Sequence, residues 1–361
     1  MSSTGHEQHA MRRALELAAT PGVPLHPNPR VGCVLLAPDG TVVAEGHHRG
    51  AGTPHAEADA LARAGGAARG STAVVTLEPC DHTGRTGPCS RALVEAGVRR
   101  VVLAQRDPNP LAAGGVATLR AAGVEVETGL LEAEARELNR VWSFAVERGR
   151  PFVTWKLATT IDGRSAAADG TSRWVSGTAS RRDTHRLRAL ADTMLVGTGT
   201  VAVDDPLLTV RDAEDRPLPR QPLRVVMGER DLDPRRRVLQ PVEGVLDAPT
   251  LHLRTRDPRE ALAALAARER RHVFLEGGPT LAAAFLAAGL VDEVVAYVAP
   301  FFLGAGHAAV ADLGIRTISD AWRPQVTDVT VLEPVVAGEQ PDVRFTLVPH
   351  AQPIPTTRGD A

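Results

Sequence analysis

Apolar residues recur with two different periods along the chain of 361 residues. Short β-rich runs bounded by turn residues predict strands, most clearly at 31–36, 72–77 and 223–227. Stretches rich in alanine and leucine with helical spacing, such as 11–20 and 55–64, predict helices between the strands. This alternation of strands and helices favours α/β architecture, with helices on both faces of a sheet.

The pattern also predicts a domain boundary near the middle of the chain. A helical stretch over 131–147 ends at Gly149-Arg150-Pro151, and a new apolar strand pattern begins at Phe152. A chain of this length exceeds the usual size of one hydrophobic core. We therefore expect two domains, 1–149 and 150–361.

The first half carries a candidate metal site. His55-Ala56-Glu57 opens a predicted helix, Cys80 follows a predicted strand, and Cys89 opens the next predicted helix. Taken singly, these residues have ordinary explanations as helix caps, first-turn acids, core thiols or a disulfide. Together, His55, Cys80 and Cys89 form a zinc ligand set that keeps one position open, and Glu57 supplies a carboxylate to move protons. The pattern predicts hydrolytic deamination of a nitrogen heterocycle.

The third cysteine, Cys33, lies inside an apolar run and is predicted to be a buried strand residue.

Composition narrows the class of partner. The formal net charge is -2 and aromatic residues make up 3% of the chain, which disfavours a basic, aromatic-lined groove for nucleic acid. A small phosphorylated molecule suits the arginine clusters better. No apolar run is long enough to cross a bilayer, and residues 1–9 are polar. We expect a cytoplasmic, homo-oligomeric protein with no membrane association.

The second half has a candidate phosphate-binding turn and an unusual lysine. The segment Glu276-Gly277-Gly278-Pro279-Thr280 connects a predicted buried strand to a predicted helix. This pattern suits either binding of the phosphates of a dinucleotide or a tight turn without a ligand. Lys156 is the single lysine of the chain, which indicates a functional role for its compact ammonium group. Arg188 lies on a helix with three other arginines, which by itself favours a solvated face.

In their order, these motifs resemble the bifunctional riboflavin biosynthesis family, often called RibD, over nearly the whole chain. The resemblance begins at His26-Pro27-Asn28-Pro29. Its most specific parts are His55-Ala56-Glu57, Glu78-Pro79-Cys80 with Gly84-Arg85-Thr86 and Cys89, Asp204-Asp205-Pro206, and Glu276-Gly277-Gly278-Pro279-Thr280.

The resemblance implies a cytidine-deaminase-like three-layer α/β/α domain followed by a dihydrofolate-reductase-like α/β domain. The first domain would use zinc to remove the 2-amino group of 2,5-diamino-6-(5-phosphoribosylamino)pyrimidin-4-one. The second would use NADPH to reduce the ribosyl group to ribityl.

The resemblance also implies roles for individual residues. Zinc ligands would be His55, Cys80 and Cys89, with Glu57 as the proton carrier. Cofactor contacts would be Ala158, Trp174, Thr200, Asp204, Gly278, Pro279 and Thr280. Substrate contacts would be Asn28, Ser172, Arg188, Leu208, Arg211 and Glu276, with Lys156 beside the same pocket.

Two other functions fit parts of the pattern. One is a nucleic-acid or nucleoside deaminase with an appended binding module, for which the aromatic content is low. The other is a structural zinc protein with a ligand-sensing domain, which would need a fourth protein ligand to close the metal site.

Overall fold

A computed structural model of the protein describes residues 5–82, 87–245 and 247–349. The Gly84-Arg85-Thr86 motif lies outside these residues. The chain divides into two compact units, Met1–Gly149 and Arg150–Ala361. In the described part of the chain, no helix combines the length and the apolar character needed to span a membrane.

The first unit contains one five-stranded sheet. Its strands are β1 (Gly32–Leu36), β2 (Val42–His47), β3 (Thr72–Leu77), β4 (Arg100–Gln105) and β5 (Glu125–Thr128), in the order β2-β1-β3-β4-β5. Its helices are α1 (Gly5–Ala18), α2 (Ala56–Ala64), α3 (Cys89–Glu95), α4 (Gly115–Ala121), α5 (Glu132–Leu138) and α6 (Arg140–Arg148). β3, β4 and β5 are parallel, while β1 is antiparallel to both of its neighbours.

Alternate residues of the central strands serve two separate cores in this unit. Cys33 and Leu35 of β1 pack with α2, α3 and α4 on one face, whereas Val34 and Leu36 pack with α1 and α5 on the other. A strand buried on both faces gives the continuous apolar runs seen in the sequence. The result is the predicted three-layer α/β/α arrangement, and Cys33 is a fully buried strand residue, as predicted.

The single helix predicted over 131–147 is wrong, because the chain forms α5 and α6 with a break at Asn139. Asn139 has φ -108° and ψ 18°, outside helical geometry. Its side chain accepts the backbone N–H of Arg30 at 2.8 Å and donates to the Arg30 carbonyl at 2.9 Å. This pair anchors the loop that precedes β1.

The second unit is built on an eight-stranded sheet. Its strands are β6 (Phe152–Thr160), β8 (Thr193–Gly197), β9 (Leu223–Met227), β10 (Thr250–Leu253), β11 (His272–Leu275), β12 (Glu293–Ala299), β14 (Gln325–Leu332) and β15 (Asp342–Val348); β7 (Arg164–Ala166) and β13 (His307–Ala308) form a separate ribbon. Its helices are α7 (Thr178–Arg188), α8 (Thr198–Asp204), α9 (Pro258–Ala266) and α10 (Pro279–Ala287).

The large sheet has the order β10-β9-β8-β11-β6-β12-β15-β14. The first six strands are parallel, so their carboxyl ends meet at one edge, and β15 and β14 are antiparallel additions. α9 and α10 pack on one face of the sheet, and α7 and α8 contribute to the core of the other. This confirms the α/β class, although the apolar pattern missed β10, β14 and β15, which are only partly buried or exposed.

Candidate active sites

One histidine and two cysteines converge in the first unit. Nδ1 of His55 lies 3.5 Å from Sγ of Cys80 and 3.3 Å from Sγ of Cys89. Tetrahedral zinc with ordinary Zn–N and Zn–S bonds has N···S edges of about 3.5 Å, so the donor set fits this metal. Among residues 5–82, 87–245 and 247–349, this is the only such group of three or more histidine, cysteine or acidic side chains. Bound to zinc, these three side chains would leave one position of a tetrahedron open.

The position of α2 places His55 and Glu57 at this group. His55 is the extended residue before the helix, with φ -68° and ψ 162°, and Glu57 lies in the first turn. α2 packs so closely on β2 that a Cβ at Gly46 would lie 2.4 Å from the Ala56 carbonyl oxygen and 2.5 Å from the Ala60 nitrogen. Only glycine at position 46 permits this approach.

Glu57 is 3% exposed, and burial is the main reason that the pKa of its carboxyl rises to about 7. Hydrogen bonding from the Cys89 thiol, helped by His55, lowers the pKa of Cys80 to about 4, while the same pairing raises the pKa of Cys89. The protein alone therefore favours one thiolate in this group. A carboxyl that titrates near neutrality can both accept and donate a proton.

Asn28 is held by a histidine that sequence reasoning did not select. Nδ2 of Asn28 lies 3.0 Å from Nε2 of His48, and Nδ1 of His48 lies 3.0 Å from the carbonyl oxygen of Pro54. Because a carbonyl only accepts, the proton of His48 is on Nδ1, and Nε2 accepts from the Asn28 amide. Burial lowers the pKa of His48, in keeping with this neutral form. The rings of His48 and His55 meet edge to face, which brings Asn28 to the metal group.

Glu78 organises the loop beside Cys80. Its carboxylate accepts backbone N–H groups from Asp107 at 3.3 Å, Gly114 at 3.3 Å and Val116 at 3.0 Å. Glu78 is 3% exposed. The Glu78-Pro79-Cys80 motif marked Glu78 as a residue of interest. Its role in holding the loop could not be predicted, because its backbone partners are distant in sequence.

A second group of charged side chains lies in the other unit. Nε and Nη2 of Arg188 donate to the two Glu276 carboxylate oxygens at 2.5 and 2.7 Å. Burial alone would raise the pKa of Glu276, but the Arg188 charge outweighs it and lowers the pKa. Lys156 interacts with both charges, and burial lowers the pKa of its ammonium group. The solvated face considered for Arg188 is therefore wrong.

Three further residues, Thr209, Arg211 and His185, join this group. Nη1 of Arg188 donates to the Thr209 carbonyl at 2.8 Å, and Nε of Arg211 donates to the Thr209 hydroxyl at 3.1 Å. The backbone N–H of Arg211 donates to Nδ1 of His185 at 3.2 Å. Burial, reinforced by the Arg188 charge, lowers the pKa of His185 to about 4. Leu208 is 4% exposed with φ 53°, and its side chain belongs to the core beneath.

The predicted cofactor residues lie around the carboxyl ends of the parallel strands. Gly278 precedes α10, which begins with Pro279 and Thr280, and a Cβ at Gly278 would lie 3.8 Å from Oγ1 of Thr200. Thus the starts of α8 and α10 are adjacent, with Ala158 on β6 between β11 and β12.

Three other predicted residues lie near two helices: Ser172 and Trp174 precede α7, and Asp204 ends α8. Trp174 is 67% exposed, and the Arg181 guanidinium lies 4.9 Å from its ring centroid. The carbonyl of Ser172 accepts the Val175 N–H at 3.0 Å. The carbonyl of Asp204 accepts a hydrogen bond from Arg173.

Comparison with known proteins gives both units a family. Residues 4–105 match the cytidine and deoxycytidylate deaminase zinc-binding region, and residues 151–336 match the RibD C-terminal domain. The riboflavin biosynthesis protein RibD of Mycobacterium tuberculosis is 51% identical over 310 residues, covering 86% of this chain and 89% of the relative. The chain belongs to the RibD family.

Solved RibD structures agree with this assignment. Acinetobacter baumannii RibD, form 2, superposes with a TM-score of 0.85 at 38% identity, covering 96% of this chain and 99% of that one. A Thermotoga maritima diaminohydroxyphosphoribosylaminopyrimidine deaminase/5-amino-6-(5-phosphoribosylamino)uracil reductase gives 0.80 at 32% identity, with the same coverage. The chain is a bifunctional enzyme of riboflavin biosynthesis, a deaminase and a reductase, and its cofactors are zinc and NADPH. Its substrate is a small phosphorylated pyrimidine.

Proposed function

We propose that residues 1–149 hydrolyse the exocyclic 2-amino group of 2,5-diamino-6-(5-phosphoribosylamino)pyrimidin-4-one, with His55, Cys80 and Cys89 holding the zinc ion. The observation that carries this assignment is the group of three ligand atoms within 4.8 Å of one another. Zinc would act as a Lewis acid that lowers the pKa of a bound water to about 7.

Glu57 moves the protons of this reaction. Hydrolysis takes one proton from the attacking water and delivers one to the departing ammonia, so a single group that does both has to titrate near the working pH. Burial raises the pKa of Glu57 towards this range, and its position in the first turn of α2, two residues after His55, supports the assignment. Asn28, held by His48, orients the pyrimidine through its amide.

Residues 150–361 carry out the reduction of the ribosyl side chain to ribityl. NADPH supplies the hydride. We assign substrate binding to Lys156, Arg188 and Glu276, whose charges interact with one another. Lys156 would deliver the proton that ring opening requires, an assignment supported by the burial that lowers its pKa. Arg211 is positioned for the substrate phosphate, with Ser172 and Leu208 as neighbouring contacts. The cofactor is bound by Ala158, Trp174, Thr200, Asp204, Gly278, Pro279 and Thr280.

The deciding experiment incubates the purified chain with the diaminopyrimidine phosphate, with and without NADPH, and identifies the products by mass. Deamination without NADPH and the ribityl product with NADPH are expected. Glu57→Gln retains about one zinc per chain but loses deamination, and it still reduces deaminated substrate. Glu134→Gln, an exposed carboxylate on α5, is the matched control.

Unchanged turnover in Glu57→Gln removes this residue from the mechanism. No NADPH oxidation with deaminated substrate rejects the reductase assignment. The predicted homo-oligomer and cytoplasmic location stay predictions, and light scattering of the purified chain tests the first.

A further inference from the structure

The residues that follow the two cysteines are joined to each other. Asp81 follows Cys80 and Ser90 follows Cys89 in the chain, and Oγ of Ser90 donates to Oδ1 of Asp81 at 2.5 Å. The backbone N–H of Ser90 donates to the Cys80 carbonyl at 3.2 Å. The N–H of Cys89 lies 3.5 Å from Sγ of Cys80. The end of the β3 segment is thus fastened to the first turn of α3 by three contacts.

The second oxygen of the same carboxylate reaches another helix. Oδ2 of Asp81 accepts the Thr118 hydroxyl of α4 at 2.8 Å. The backbone N–H of Asp81 donates to the Ala112 carbonyl at 3.0 Å, and Ala112 packs against both cysteines. Asp81 therefore connects three separate segments around the two sulfur atoms.

This arrangement bears on metal affinity. Cys80 lies in the segment after β3 and Cys89 begins α3, so the spacing of their sulfur atoms depends on contacts that fasten this segment to the helix. Hydrogen bonds to an ionised carboxylate are shorter and stronger than those between neutral groups. Groups that orient metal ligands from behind typically change metal affinity by about 10–100-fold when removed.

We propose that Asp81, acting through Ser90 and Thr118, is a positioning residue that sets the spacing of the Cys80 and Cys89 sulfurs and thereby the zinc affinity. The proposal rests on the proposed function only in that His55 and the two cysteines hold zinc.

The test measures the zinc dissociation constant of the full chain by competition with a chromophoric chelator at fixed pH. We expect Asp81→Ala to weaken binding by about tenfold or more. Ser90→Ala and Thr118→Val each remove one hydrogen bond and should weaken it less. Asp39→Ala is the matched control, because Asp39 accepts hydrogen bonds from Thr41 in the exposed β1–β2 turn.

Zinc affinity in Asp81→Ala equal to that of the parent chain would overturn the proposal. So would equal loss of affinity in Asp39→Ala, or a fall in stability of the metal-free Asp81→Ala chain without any change in affinity. If Asp81→Ala does not fold, Ser90→Ala decides: a measurable weakening supports the proposal and parental affinity rejects it. His55→Ala tests the metal site itself, since unchanged zinc binding there would sink the proposed function rather than this inference.

Discussion

Replacing Arg188 by alanine tests the ion pair at the centre of the second unit. The Arg188 and Glu276 side chains are 16% and 12% exposed, and two hydrogen bonds join them. Removing one partner of a buried pair costs about 3–5 kcal/mol, because the other charge stays buried. Lys156 still compensates part of the Glu276 charge. We therefore expect a loss of about 3 kcal/mol, at the lower end of that range.

The assay is urea unfolding of the full chain, followed by tryptophan fluorescence, together with both enzymatic activities. Three of the four tryptophans, Trp155, Trp174 and Trp322, lie in the second unit and report on it. Reductase activity should fall, because Arg188 also fastens the Thr209 carbonyl beside the predicted phosphate contact. Deaminase activity should be unchanged.

Arg186→Ala is the matched control, since this neighbour on α7 is 56% exposed and pairs only with Asp183 among the described residues. Its effect should stay within about 0.5 kcal/mol. The double variant Arg188→Ala with Glu276→Gln removes the uncompensated charge and should recover part of the lost stability. The reasoning is refuted if Arg188→Ala is as stable as the control, or if the double variant is no more stable than the single one.

Three other changes test separate features. Lys156→Arg should preserve folding but reduce the rate of NADPH oxidation at least about tenfold, because a guanidinium neither fits the space of an ammonium nor releases a proton. Full activity in this variant would mean that the reaction does not need the lysine. Gly46→Ala should destabilise the first unit by about 1–3 kcal/mol and weaken zinc binding, because its Cβ meets the α2 backbone; zinc titration and urea unfolding check both. The pKa of His185 is about 4 in the folded chain, against an ordinary value of 6.5. Its contribution to stability is therefore complete above about pH 6.5 and is lost as the pH falls towards 4, because the unfolded chain binds the proton at a higher pH than the folded chain does. His185→Asn keeps an acceptor for the Arg211 N–H but has no group that titrates in this range. At pH 5 it should therefore recover about 1 kcal/mol of the lost free energy of unfolding, after allowance for solvent screening. An unchanged pH profile of urea unfolding would contradict this prediction.

Local features of the chain were predictable because their physical causes lie within a few residues. The runs Thr72–Leu77 and Leu223–Met227 form strands with the predicted ends, since both are rich in β-branched and other apolar residues and are bounded by turn residues. His55-Ala56-Glu57 could be selected as a candidate site because an imidazole and a carboxylate lie two residues apart at a predicted helix start, which is a pattern of zinc deaminases. The glycine pair before α10 was visible for a similar reason.

Contacts between distant residues decided the rest. Arg188 has the sequence context of a solvated helix face, but Glu276, 88 residues away, makes it part of a buried pair. Asn139 interrupts a helical pattern because its amide bonds the backbone of Arg30, 109 residues away. The sequence pattern missed β14, an edge strand whose place in the sheet depends on pairing with β15 and which exposes most of its side chains. From the sequence by itself, most of the helices and strands and the candidate metal ligands could be predicted. Only the tertiary structure decided which charges are buried together and which hydrogen bonds hold the candidate ligands, because burial and pairing depend on the whole fold.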